Sequence, residues 1–150
     1  MLHGVVHAGG VPTIVLPVAR KDWLATIDTG FNGDLELPEE LRDALHARYV
    51  GRATAILAGD QSVTEDVFVV DFPFDGRLLI AQATFVSGSQ ILVGTHLLRE
   101  YVLHIDFTAK TVELDDDKLA TSIGFDSVVG AGHGFISAPD SSRIRSHPIL

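Results

Sequence analysis

The chain has 150 residues, 46% of them apolar and 21% charged, with a formal net charge of −9. That is ordinary globular composition, long enough for one well-buried core, and the acidic balance argues against nucleic acid or an anionic membrane surface as the main partner. The absence of cysteine excludes disulfides, thiolate catalysis and cysteine-ligated metal centres.

The N-terminal MLHGVVHAGGVPT lacks the basic and continuous apolar regions of a signal peptide, and no apolar run is long enough to span a bilayer. A cytoplasmic location is therefore expected. Residues 11–18 (VPTIVLPV) and 23–28 (WLATID) are apolar and β-branched, joined by the polar ARKD at 19–22, which predicts a hairpin. Pro12 and Pro17 cannot donate to a ladder, which pushes the first of these strands toward a sheet edge. PEELRDALHAR (38–48) predicts a helix: Pro38 suits the first turn, Glu39 and Glu40 complement the dipole, and Leu41, Ala44, Leu45 and Arg48 recur at helical spacing.

From residue 52 the pattern returns to β. RATAILA and VTEDVFVV flank GDQS, with Gly59 and Asp60 at a hairpin tip. A second pair of strands, near 67–72 and 77–86, is separated by the turn PFDG. In QILVGTHLLREYVLHIDF (90–107) an apolar run meets Gly94 and a short helical turn before another strand, and IDFTAKTVEL (105–114) closes as a hairpin. Beyond Asp115–Asp117 the chain becomes rich in glycine and serine with weak periodicity. This divides it into a domain over 1–117 and an appended tail, 118–150, of unassigned role, used in assembly or unstructured.

The segment LATIDTGFNGDLELPEEL (24–41) carries the main chemical signal. Asp28 interrupts an apolar strand and is followed by Thr29 and Gly30. A carboxylate in a partly dry place needs donors or a cation to stay ionised. Thr29 offers a hydroxyl, and Gly30 and Gly33 allow close approach of backbone or ligand. On the tripeptide alone a polar turn between strands is the favoured reading, since short motifs of this kind are common. The order of features tips the balance: hairpin, apolar-Asp-Thr-Gly, strand and helix, a hairpin with a Gly-Asp tip, then Ile91-Leu92-Val93-Gly94.

That order resembles the retropepsin-like aspartic proteases, in particular their single-domain prokaryotic branch. The residues carrying the resemblance are ATIDTGFNGDLELP, the hairpin tip AGDQ (58–61) and ILVGTHLLREYVLHIDFTAKTVEL (91–114), over about residues 11–114. Phe31 stands where many members carry Ala or Ser, which favours the prokaryotic branch over the viral one. The resemblance implies an all-β, closed acid-protease barrel with one or two short helices. It implies Asp28 as the catalytic carboxylate, Thr29 bracing the two active-site loops across a subunit interface, and Gly30 lining the cleft. Ala58, Gly59, Asp60 and Gln61 would form a flap over an extended peptide, and Ile91–Gly94 would pack beneath the active-site loop.

The chemistry of this family uses two carboxylates sharing a proton, one activating water and one donating to the carbonyl oxygen. The chain has a single Asp-Thr-Gly, so the second Asp28 is expected from a two-fold-related copy. Asp106 lies beside a turn, where an aspartate is expected for local reasons. The expected activity is that of a homodimeric aspartic endopeptidase acting on peptide or protein substrates, without metal or other cofactor. The alternative is a dimeric peptide-binding or scaffold module with the same fold and no hydrolysis.

Other signals are weaker. The seven histidines form no His-Glu-x-x-His, and scattered surface positions explain them. His96, close after Gly94, is the one nearest the expected site and equally suits a cap of the short helical turn. DTGFNG has the glycines of an anion cradle, but Asp34, Glu39 and Glu40 follow and disfavour phosphate. The run Asp115–Lys118 lacks the spacing of a calcium loop and reads as a solvated strand end.

Overall fold

The computed structural model describes residues 1–116. The expected tail lies outside the described residues. Ten strands in one sheet make up the domain: β1 (Leu2–His7), β2 (Val11–Val18), β3 (Lys21–Ile27), β4 (Leu35–Pro38), β5 (Arg48–Ile56), β6 (Ser62–Phe74), β7 (Arg77–Val86), β8 (Ile91–Val93), β9 (Tyr101–Asp106) and β10 (Thr111–Asp116). Their order across the sheet is β5-β6-β7-β4-β8-β3-β2-β1-β10-β9. The end strands β5 and β9 do not pair with each other, so the sheet is open, in place of the closed barrel expected from the sequence.

The hairpins follow the sequence pattern closely. β2 and β3 pair from Thr13↔Thr26 to Val18↔Lys21, so the turn is only Ala19-Arg20, both at positive φ (51° and 66°). β6 serves two hairpins at once, with β5 through the 57–61 loop and with β7 through Asp75-Gly76. The last two residues sit at φ 51° and 73°, the left-handed pair that a tight two-residue hairpin requires.

Three expectations are corrected. β2 is an interior strand, lying between β1 and β3. Its prolines are tolerated because β1 pairs only Val11–Ile14 and β3 only Thr13–Val18. Pro12 and Pro17 each have a neighbouring strand on one side only, which is an edge environment in miniature. The helix expected over 38–48 is also not formed. β4 claims Pro38 and β5 begins at Arg48, and between them stands a 3-10 turn, Glu39–Leu41, followed by irregular turns with His46 at φ 51°. The helical periodicity is nonetheless used, since Leu41 and Leu45 are both buried in the core. After Gly94, residues 95–100 form turns rather than a helix.

β1 carries no clear strand signal because His3 and His7 interrupt its apolar pattern, with Val6 facing the core and His3, Val5 and His7 facing out. Gly4 permits its close approach to β2: a Cβ there would lie 1.9 Å from the Thr13 carbonyl oxygen. The core gathers Ile14, Leu16, Trp23, Leu35, Leu37, Phe72, Phe74, Ile91, Val93 and Leu114, among others. Trp23 Nε1–H donates to the Val18 carbonyl at 3.1 Å, satisfying the one polar atom of a buried ring. Among the described residues no helix is long and apolar enough to cross a membrane.

Candidate active site

The sheet order determines where Asp28 stands. β3 pairs with β8 in parallel and β4 pairs with β8 antiparallel, so β8 is inserted between two strands consecutive in the chain. Residues 28–34 must therefore cross over the C-terminal end of β8. A wide loop riding on a strand end needs its backbone groups satisfied from below. Asp28 N–H donates to the Val93 carbonyl at 3.0 Å, Gly94 N–H to that of Asp34 at 2.9 Å, Thr95 N–H to that of Phe31 at 2.8 Å, and His96 N–H to that of Gly33 at 3.2 Å. Gly94 is the contact point. A Cβ there would fall 2.1 Å from the Gly33 carbonyl oxygen and 2.7 Å from the Phe31 ring. The apolar-apolar-Gly element thus packs beneath the Asp-Thr-Gly loop, as the resemblance implies.

At the near end of the loop Asp28 is half-buried. Its Oδ1 accepts the Gly30 N–H at 2.9 Å and its backbone carbonyl accepts the Phe31 N–H at 3.1 Å. These two bonds close a tight turn that holds the carboxylate at the sheet end. Oδ2 has no hydrogen-bond partner among the described residues. Thr29 and Gly30 are exposed beside it.

The hairpin tip Ala58–Gln61 is exposed throughout. Leu57 N–H donates to the Gln61 carbonyl at 2.6 Å, with Gly59 and Asp60 at φ 80° and 59°. The arms below the tip, not the tip itself, approach the loop. A cavity of about 180 Å³ lies among Phe31, Glu36, Ala53, Ala55, Glu65 and Thr84, bringing β5 and β6 together with the crossing loop. Neither Asp28 nor the tip lines it. Glu36 there has its pKa raised, first by burial, then by repulsion from Glu65 and from Asp28. Asp106, weighed as an intrachain partner, is committed elsewhere, with Oδ1 accepting the Thr108 and Ala109 N–H groups at 2.9 and 2.8 Å. Among the described residues no three histidine or carboxylate side chains converge on a metal-sized site.

Sequence reasoning missed one functional-looking pair. Asp34, at the far end of the crossing loop, is 7% exposed. Its Oδ2 accepts the Gln82 N–H at 2.9 Å and its Oδ1 accepts a hydrogen bond from His96 Nδ1. The partners are 62 positions apart in the sequence, so no local pattern couples them. The only hint is the position of His96 two residues after Gly94.

The strand order, the inserted β8 and the loop braced by a glycine define a retropepsin-like fold. The crystal structure of a retropepsin-like aspartic protease from Rickettsia conorii is similar to this chain, with a TM-score of 0.55 and 16% sequence identity over 75% of this chain and 88% of that one. A foamy viral protease–reverse transcriptase bound to an RNA/DNA hybrid is also similar, with a TM-score of 0.47 and 16% identity, covering 71% of this chain and 13% of the viral one. The fold assignment rests on the rickettsial structure. No protein-family model matches the sequence, and no curated protein matches it.

Proposed function

We propose that this chain is an aspartic endopeptidase that works as a homodimer, hydrolysing peptide bonds with a water held between two Asp28 carboxylates. The observation that carries this reading is the placement of Asp28 on the glycine-braced crossing loop of a retropepsin-like fold, with Oδ1 tied to the Gly30 N–H and Oδ2 free of partners among the described residues. A single carboxylate cannot act as general base and general acid in the same step. Two sharing one proton can, because like charges in contact cannot both ionise. The chain supplies one Asp-Thr-Gly, and Asp106 is occupied by its own turn, so the second carboxyl is assigned to a two-fold-related copy. In the reaction one Asp28 takes a proton from water as it attacks the scissile carbonyl carbon, and the protonated Asp28 donates to the carbonyl oxygen. Collapse of the tetrahedral species then transfers a proton to the leaving amine. The β5–β6 hairpin would cover an extended peptide through strand-like hydrogen bonds, and Thr29 would brace the paired loops.

Proteolysis of an unfolded-protein mixture, followed from acidic to neutral pH for the wild type and Asp28→Asn, tests this. Cleavage by the wild type and its loss in the variant are expected, together with a dimer in sedimentation. A folded wild type that cleaves nothing would favour a non-hydrolytic peptide-binding module instead, and undiminished cleavage by the variant would remove Asp28 from the chemistry.

A further inference from the structure

Asp34 is buried, yet it takes no part in the chemistry proposed for Asp28. A carboxylate out of water must be matched by donors or it destabilises the fold. Its two matched oxygens face two different segments. Oδ2 accepts the Gln82 N–H of β7. The parallel β4–β7 ladder begins one rung later, at Leu35↔Ala83, so the side chain extends that ladder by one bond where the backbone has not yet joined it. Oδ1 faces His96 Nδ1, a ring nitrogen whose N–H tautomer matches a carboxylate acceptor. His96 stands on the turn that follows β8, the strand the loop crosses. Asp34 therefore ties together the end of the crossing loop, β7 and the turn beneath the loop.

We propose that Asp34 and His96 form a charge-assisted clamp that sets the position of the Asp28 loop, making both of them positioning residues for hydrolysis; this rests on the protease reading above. The loop has three anchors: the Asp28 N–H bond to Val93, the Phe31 carbonyl that accepts from Thr95 N–H and Oγ1–H, and the Gly33–Asp34 end with its bonds to Gly94 and His96. Between them, the turn that holds Asp28 Oδ1 depends on Gly30 and Phe31, whose amides point back at Asp28. Loosening the far anchor lets that turn shift. Displacement of a reacting group by about 1 Å costs on the order of 100-fold in rate, so a clamp remote from the water can govern turnover. His96 is largely exposed, its side chain 59% accessible against 7% for Asp34. Its backbone carbonyl accepts Arg99 Nη1–H at 2.9 Å, which holds the turn that presents the imidazole. Its contribution to burial is small, so the bond rather than the packing is what it supplies.

The test uses the full chain carrying His96→Gln, which keeps a donor, His96→Leu, which removes it, and Asp34→Asn. Turnover of labelled unfolded casein is measured alongside amide hydrogen exchange. His96→Leu and Asp34→Asn are expected to lower kcat about 10- to 100-fold with KM little changed. They should also speed exchange of the Gly30 and Phe31 amides, which neither residue touches, while His96→Gln keeps both near wild type. If His96→Leu leaves kcat and the Gly30 and Phe31 exchange unchanged, the clamp is overturned. Should Asp34→Asn fail to fold, the two surface variants decide. Should the wild type prove inactive, the protease reading fails while exchange alone still decides whether the pair positions the loop.

Discussion

Gly94→Ala tests the crossing-loop geometry directly. Gly94 is not at positive φ, so alanine meets no backbone strain there and the cost is purely steric. The new methyl carbon would lie 2.1 Å from the Gly33 carbonyl oxygen, 2.7 Å from the Phe31 ring and 2.8 Å from the Phe31 carbonyl oxygen. Two of those three neighbours are backbone, so no rotamer change relieves the clash. The loop must lift off β8, straining the bonds that join Asp28, Phe31, Gly33 and Asp34 to residues 93–96. Overpacking costs about 1–3 kcal/mol, and two such bonds lost add about 1 kcal/mol each. A destabilisation of about 3–5 kcal/mol follows, roughly 10–30 °C in Tm for a domain of this size. The control is Gly88→Ala, where a Cβ would meet nothing within 4 Å, with an expected change within about 0.5 kcal/mol. Both are measured by urea unfolding. A Gly94→Ala protein as stable as the Gly88→Ala control would refute the crossing of 28–34 over β8 as drawn.

Further outcomes are expected. Glu36 has a folded-state pKa above its unfolded value through burial, Glu65 and Asp28, so its contribution to stability is present below the unfolded pKa and lost as pH rises through the folded one. Glu36→Gln should therefore be more stable than wild type at pH 7, the gap closing near about pH 4; an equal difference in denaturation midpoint at both pH values would contradict this. Trp23→Phe removes the buried indole N–H bond to Val18 and should cost about 1–3 kcal/mol by thermal or urea unfolding. Gly4→Ala, whose Cβ would sit 1.9 Å from the Thr13 carbonyl oxygen, should loosen β1 and raise amide exchange at Val5, with β5 and β6 unaffected.

Much of the strand order was readable because hairpins are local. Alternation in VPTIVLPV and the Asp-Gly turn at 75–76 announce themselves within a few residues. The elements that were misread depend on neighbours distant in the chain. The segment 38–48 has helical spacing, but β4 and β5 take its ends through pairings with β7, β8 and β6. Closure of the sheet is a property of the terminal strands alone, and nothing in β5 or β9 as sequences says whether they meet.

The candidate site divides along the same line. Asp28 was legible because a carboxylate breaking an apolar strand is a local anomaly, and Gly94 because glycine after three buried-looking residues is another. The reason the two belong together lies in the sheet order, where β8 enters between β3 and β4. That insertion forces a seven-residue crossing (28–34) with few backbone partners of its own. Such a loop can be fixed only from beneath, so a glycine is needed for contact and donors are needed at its far end. Asp34 and His96 satisfy the second need. As separate residues they look like a strand-edge aspartate and a surface histidine, and only the crossing makes them a pair.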